Sequence, residues 1–343
     1  MSAPATDRPP VLVTGGAGFI GSHTCKALHG LGYLPITVDN LSRGHRDAVK
    51  WGPLIKADLR DQTALRAAIA EYRPKAVIHL AAYAYVGESF DIPADYYGVN
   101  IGGTASLLKA MGAYDLRTLV FSSSCATYGV PESLPITETT QQDPINPYGR
   151  TKLVCEQMIR DCAGVQGLSY ALLRYFNAAG ADPDGELAER HDPETHIIPR
   201  AMLAALGDID ALDILGDDYP TPDGTCIRDY IHVTDLAEAH CLALEHLLSG
   251  EREITVNLGG GRGASIREVV DAIEVETGRR VPVRVSARRP GDPPALMADI
   301  AKAERLLGFR PRHSDLRTII ASAWPTFAAG REGTIPAVLT AAE

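Results

Sequence analysis

The chain has 343 residues, a formal net charge of -10 at neutral pH, 45% hydrophobic and 22% charged residues, which is the profile of a soluble two-lobed globular protein. The acidic balance argues against a nucleic-acid partner, which demands a basic face, yet it leaves room for a local anion site built from a few arginines. Six scattered cysteines without a C-x-x-C pair argue against a zinc knuckle or a disulfide framework and fit a reduced cytoplasm, and no run of about 18 apolar residues is present to span a membrane.

In chain order, Met1–Arg8 reads as a frayed leader without the apolar core of a secretory signal. Val11–Val13, Leu34–Val38, Ala76–Leu80, Thr118–Phe121 and Tyr170–Arg174 are short apolar runs separated by amphipathic helical patterns. That alternation predicts an α/β fold with a doubly wound parallel sheet and helices on both faces. Residues 177–196, rich in Gly, Asp, Pro and Glu, predict a long irregular connection of the kind that builds binding sites. A helix over Pro199–Leu206, a strand near Leu212–Leu215, and a strand passing into a helix over Arg228–Leu248 with Asp235 as its cap follow. The tail from Ser265 carries two more helical patterns and the basic turn Arg288-Arg289-Pro290-Gly291-Asp292.

Gly16-x-Gly18-x-x-Gly21 follows the first strand and opens a helix, so its backbone can approach a pyrophosphate at the helix N-terminus. Asp39, ending the next strand, stands where a carboxylate hydrogen-bonds adenosine ribose hydroxyls and repels a 2′-phosphate, favouring NAD over NADP; Arg43 nearby argues mildly the other way. Asp58 and Leu59 are placed to touch the adenine, or Asp58 to cap a helix, and Ala81 and Ala82 are small enough for close cofactor approach. Tyr148 and Lys152 lie one helical turn apart, with Ser122-Ser123-Ser124 upstream. A tyrosine with an ordinary pKa of about 10 is a poor base, and lowering it by three units takes about 4 kcal/mol, which a neighbouring ammonium and a cationic nicotinamide together can supply. The ten histidines form no H-x-x-x-H pair, His232 and His240 read as packing or surface residues, and no metal is called for.

With T-G-G-A-G-F-I-G-S-H at Thr14–His23, S-S-S, Y-G-R-T-K and R-Y-F-N at Arg174–Asn177, the chain resembles the extended short-chain dehydrogenase/reductase family. Within it the pattern is similar to the UDP-hexose 4-epimerases from about Val11 to Phe309, through V-G-E-S at Val86–Ser89, N-P-Y-G at Asn146–Gly149 and D-Y-P-T-P-D-G-T-C-I-R-D-Y-I-H-V at Asp218–Val233. The resemblance implies a Rossmann-type NAD domain over residues 1–176 with a returning segment at about 226–257, and a smaller nucleotide-sugar domain over 177–225 and 258–343. It implies NAD held by Gly15, Gly18, Phe19, Ile20, Gly21, Asp39, Asn40, Asp58, Leu59, Leu80, Ala81, Ala82, Asn100, Ser122, Tyr148, Lys152, Tyr175 and Phe176. It implies that Tyr148 takes the proton of the sugar 4-hydroxyl, that Ser124 holds that hydroxyl, and that Lys152 lowers the tyrosine pKa, with NAD regenerated in each turnover.

The UDP-sugar is assigned on the same resemblance to Ser124, Tyr148, Asn177, His196, Ile197, Leu215, Arg228, Arg289, Asp292 and Leu296, with Arg228 and Arg289 on the diphosphate or uridine ribose. Cys125 and Ala126 stand where the related 4,6-dehydratases carry an acid and a base, so dehydration is disfavoured, as is decarboxylation, which needs a missing glutamate. Three positions depart from the epimerase pattern: Ala84 replaces a lysine, His196-Ile197 replaces an asparagine-leucine pair, and Leu296 is intermediate in bulk at the position that admits or excludes an N-acetyl group. Ala84–Ser89 also resembles UDP-xylose/UDP-arabinose 4-epimerases, so a pentose substrate stays open. A net reductase that exchanges its cofactor, and a non-enzymatic NAD-sensing regulator, are the remaining alternatives; the intact tyrosine-lysine pair speaks against the regulator. A homodimer is expected, with its seam on the helices after Ile101 and around Thr151–Cys162.

Overall fold

A computed structural model describes residues 8–289 and 292–329, so the expected leader, apart from Arg8, and Pro290-Gly291 of the basic turn lie outside the described residues. The aliphatic runs become strands β1 (Pro10–Thr14), β2 (Leu34–Asp39), β3 (Leu54–Lys56), β4 (Ala76–His79), β5 (Thr118–Ser122) and β6 (Ser169–Tyr175). They are followed by β7 (Asn177–Ala179), β8 (Leu212–Leu215), β9 (Ile227–His232), β10 (Glu253–Leu258), β11 (Gly263–Ser265), β12 (Val283–Ser286) and β13 (Ala295–Leu296). Seven of them form one parallel sheet in the order β10-β6-β5-β4-β1-β2-β3. The order reverses between β1 and β4, and a doubly wound sheet opens its ligand crevice at the carboxyl ends of the strands flanking such a point.

The sheet is buried on both faces because successive side chains of each strand feed different cores. Val11 and Val13 pack with Ile78, Val120, Ala171 and Leu173 under helices Phe19–Gly30 and Val233–Leu248, whereas Leu12 packs with Val77, Leu119, Phe121 and Leu172 under helices Gln62–Tyr72, Gly102–Ala113 and Pro147–Gln166. Each fully buried leucine there contributes about 1.5–3 kcal/mol. The smaller lobe pairs β9 with β7 and β13 in parallel and with β11 antiparallel, and pairs β8 with β12. Its core lies between helices Ile197–Leu206, Ile266–Thr277 and Leu316–Ala328.

The five expected strands of the large sheet form within a residue or two of their predicted ends, and β3 and β10 extend the sheet at its two edges. Two expectations are corrected. His232, not Asp235, caps helix Val233–Leu248, its Nδ1 accepting from Thr234 N at 3.1 Å. Asp235 sits inside the first turn and accepts from His313 N and Ser314 Oγ, so its carboxylate ties the tail to the helix instead. Among the described residues the tail carries three helices, because Ala301–Leu307 is too short for a periodicity signal yet buries Ala303 and Leu307 against the large sheet's core. All six cysteines are free, and among the described residues no helix is long and apolar enough to cross a membrane.

Candidate active site

A cavity of about 960 Å³ runs from the carboxyl ends of β1 and β2 into the smaller lobe. Its dinucleotide end is shaped by backbone. Gly15 has φ 75°, and a Cβ there would lie 2.7 Å from Ala81 N; a Cβ on Gly21 would lie 2.0 Å from Gly15 O, so the strand-to-helix turn closes only with glycine. Helix Phe19–Gly30 begins at Gly18 with no side-chain cap, and Phe19, Ile20 and Gly21 line the cavity. Backbone N–H groups at such a helix start are a ready anion site. Asp39, at the end of β2, is fixed by Leu41 N at 2.8 Å and Ala17 N at 3.1 Å; burial raises its pKa against these two bonds. This cradle, closed to any Cβ at Gly21 and floored by an oriented carboxylate, fits a dinucleotide.

Asn40, Leu59, Leu80, Ala81 and Ala82 line the same end. Asp58 also lines it but is no helix cap, since Asp61 caps helix Gln62–Tyr72. Its carboxylate is taken by Arg60 and Asn40, and Arg60 holds it well below the ordinary carboxylate range. Arg43 is claimed as well: it reaches both oxygens of Glu88 at 2.6 Å and lies 4.4 and 4.6 Å from the Tyr83 and Tyr85 ring centres. To accept a 2′-phosphate it would have to leave that carboxylate, which removes the sequence argument for NADP.

The expected catalytic set, Tyr148, Lys152 and Ser124, meets at the waist. Asn146 accepts from Gly149 N at 2.8 Å and Pro147 opens helix Pro147–Gln166, so the cap puts Tyr148 in the first turn, facing the cavity, and Lys152 one turn deeper. Lys152 Nζ donates to Ser122 O at 2.7 Å and lies 5.9 Å from the centre of the Tyr148 ring. Ser124 stands two residues beyond β5, its Oγ accepting from Ala126 N at 3.1 Å, and it lines the cavity beside Tyr148. Burial pushes Tyr148 up to about 12, an effect that hydrogen bonding to Ser124 opposes, and burial brings Lys152 down to about 8. The lowering expected from the ammonium and a cationic nicotinamide together therefore has this desolvation to overcome.

Three of the expected cofactor residues stand behind the wall. Lys152 supports Tyr148 from below; Ser122 offers its carbonyl to that lysine and bonds His240 Nε2 at 2.6 Å; Asn100 ties the Tyr83 backbone to Thr151. His240 is therefore a packing residue, and His232 a buried cap. Tyr175 and Phe176 line the waist.

Asn177, His196, Ile197, Leu215, Arg228, Arg289, Asp292 and Leu296, expected at the sugar nucleotide, all line the same cavity. β9 and β13 run in register, bringing Leu296 beside Arg228. Arg228 donates to Ile227 O and Pro293 O and lies 3.5 Å from Asp292, which also binds Arg289 at 2.9 Å. Asp229, beneath this rim, accepts from Gly260 N and Ala298 N, and burial raises it to about 6. Cys125 follows Ser124, and burial pushes its thiol up to about 12, leaving it neutral.

Sequence reasoning missed how the 182–196 connection is anchored. Lys26 gathers Asp182, Asp184 and Glu186; Arg190 pairs with Asp47 and its carbonyl bonds His45; Glu189 and Glu194 hold His191 and His196. For His196, burial, which alone would lower its pKa, is outweighed by these two carboxylates. The one signal available was the density of acidic and histidine residues in this loop.

A doubly wound sheet, a glycine cradle with an aspartate fixed beside it, and a Ser-Tyr-Lys set at the waist define a dinucleotide-dependent site of the short-chain dehydrogenase/reductase type. Residues 11–259 match the model of the NAD dependent epimerase/dehydratase family. A UDP-glucose 4-epimerase of Rhizobium meliloti (strain 1021) is 50% identical over 314 residues, covering 92% of this chain and 95% of that protein. The crystal structure of UDP-glucose 4-epimerase from Brucella ovis in complex with NAD is 61% identical, with a TM-score of 0.91 over 93% of this chain and 98% of that one. A UDP-glucose-4-epimerase from Stenotrophomonas maltophila with bound NAD and formylated UDP-arabinopyranose is 42% identical, with a TM-score of 0.91 over 94% and 98%. The chain belongs to the NAD dependent epimerase/dehydratase family, and its cofactor is NAD.

Proposed function

We propose that the chain interconverts UDP-glucose and UDP-galactose by inverting C4, as an isomerase. The observation that carries this reading is the buried Tyr148–Lys152–Ser124 set at the waist of one cavity, with the glycine cradle on one side and Arg228, Asp292 and Leu296 on the other. When bound, NAD supplies reversible oxidation of the sugar C4. Tyr148 Oη takes the 4-hydroxyl proton and returns it after the 4-keto sugar has turned over, while Ser124 Oγ orients that hydroxyl. Lys152, fixed on Ser122 O behind the cavity wall, holds a positive charge under the ring. Arg228 and Arg289 take the diphosphate and Asp292 the uridine ribose, with Asn177, His196, Ile197 and Leu215 on the nucleotide-sugar wall. The neutral Cys125 and the Ala126 beside Ser124 provide no acid-base pair for dehydration.

Leu296 on the sugar wall, and the arabinopyranose in the Stenotrophomonas relative, keep the pentose 4-epimerase as the second reading. We further propose residues 1–176 with the returning segment at about 226–257 as the NAD domain and the remainder as the nucleotide-sugar domain. A cytoplasmic homodimer completes this reading, and light scattering of the purified chain tests the dimer. Proton NMR with UDP-glucose, UDP-xylose and UDP-N-acetylglucosamine in separate tubes, without added NAD, tests the substrate. UDP-galactose as the fastest product supports the reading; UDP-arabinose as the sole efficient product moves it to pentoses, and no epimer even after NAD is added ends it.

A further inference from the structure

The sequence Glu189-Arg190-His191-Asp192-Pro193-Glu194-Thr195-His196 brings four metal-binding side chains together at the mouth of the cavity. One ligand atom from each of Glu189, His191, Glu194 and His196 lies within 4.8 Å of all the others. Both imidazoles turn Nδ1 toward the same oxygen, Glu189 Oε1, at 3.0 Å, and toward Glu194 at 3.6 Å from His191 and 2.9 Å from His196. A tetrahedral ion bound at about 2.0–2.2 Å separates its ligands by about 3.4 Å, so these spacings bracket the edge of such a polyhedron.

Charge gives a second argument. The Glu189 and Glu194 side chains are only 3% and 10% exposed. Among the described residues, no lysine or arginine lies within ion-pair distance of either. Both carboxylates face the two imidazoles, which carry the balancing charge when protonated. One divalent ion in place of the two ring protons keeps that charge and uses all four donors. Two imidazole nitrogens with two carboxylate oxygens suit zinc and its neighbours, whereas magnesium and calcium prefer all-oxygen shells.

We propose that Glu189, His191, Glu194 and His196 bind one divalent transition-metal ion of the zinc class, and that this ion staples the 182–196 strap across the cofactor mouth. Four protein ligands close the shell, so the ion is structural and takes no part in proton transfer. Its place explains the ring contacts around it: His191 packs edge-on to Phe19 of the glycine cradle at 6.1 Å, and Tyr85 packs against His191 at 5.7 Å and His196 at 6.0 Å. Fastening these rings fastens the loop that covers the dinucleotide. The inference stands independently of which sugar is turned over.

The test uses the full-length, NAD-loaded chain without a histidine tag, stripped with a chelator and titrated with Zn²⁺ in competition with a chromophoric chelator. One zinc per chain is expected, Co²⁺ in its place should give the intense visible bands of a tetrahedral site, and zinc should raise Tm. His191→Ala and Glu189→Gln should each weaken zinc binding by more than the 10- to 100-fold typical of losing an outer partner. The double variant Asp184→Asn/Glu186→Gln, in the separate acidic group, should bind zinc as the parent does. The proposal is overturned if the parent binds no stoichiometric zinc, if its Co²⁺ spectrum is the weak one of an octahedral aqua ion, or if a folded ligand variant binds zinc unchanged. Should His191→Ala fail to fold, Glu189→Gln and the Co²⁺ spectrum of the parent still decide.

Discussion

The two ends of the cavity are built by different means. At the dinucleotide end the shape comes from backbone: Gly15 and Gly21 leave no room for a Cβ, and Asp39 is pinned by two backbone N–H groups of its own neighbourhood. At the end proposed for the sugar nucleotide the shape comes from side chains carried on separate segments, with Arg228 on β9, Leu296 on β13 and Asp292 at the close of the basic turn meeting only through strand pairing and one acidic pivot. A backbone-built site accepts one ligand shape, and replacing a glycine there breaks it. A side-chain-built site tolerates substitution and tunes its ligand by single residues.

The largest effect is expected at the waist, where the two ends meet. Tyr148→Phe should lower kcat by about 10³-fold while leaving bound NAD in place, measured by turnover and cofactor content. Retained NAD with unchanged kcat would remove Tyr148 from the chemistry. Gly21→Ala probes the backbone-built end: its methyl meets Gly15 O at 2.0 Å, so loss of bound NAD and about 3 kcal/mol of stability in urea unfolding are expected. A fully loaded, equally stable alanine variant would show that the cradle can yield.

Asp229 gives a pH signature for the side-chain-built end. Its pKa is raised from 3.8 to about 6, so the folded chain binds that proton more tightly than the unfolded chain does. The resulting stability is present below pH 4 and is lost as pH rises through 6. The amide in Asp229→Asn cannot titrate, so the unfolding free energy of the parent minus that of this variant should fall by about 2 kcal/mol between pH 4 and 7. A flat difference would mean that the carboxylate is solvated. The smallest effect is Arg228→Ala, which should weaken UDP binding by about 30-fold, near 2 kcal/mol, with NAD content unchanged, read by calorimetry.

The same contrast explains what the sequence made legible. β1, the glycine turn, Asp39 and the Tyr148–Lys152 pair are local or periodic features, and each appears where its pattern put it. The burial that raises the tyrosine is not legible in this way, because sequence shows the neighbouring lysine but not the desolvation around the ring. Asp235 reads as a cap in the sequence because its partners, His313 and Ser314, are 78 and 79 residues away. Arg43 is ambiguous until Glu88 is seen holding it. The residues at the sugar-nucleotide end are accessible only through resemblance, since no local rule links β9 to β13.

The most direct test follows the hydrogen on C4. UDP-glucose deuterated at C4, incubated with the NAD-loaded chain in ordinary water, should give UDP-galactose that keeps the deuterium at C4, while Tyr148→Phe converts almost none. Deuterium washed out into water would show that the carbon is inverted by proton loss to solvent, and would contradict the reversible oxidation on which this mechanism rests.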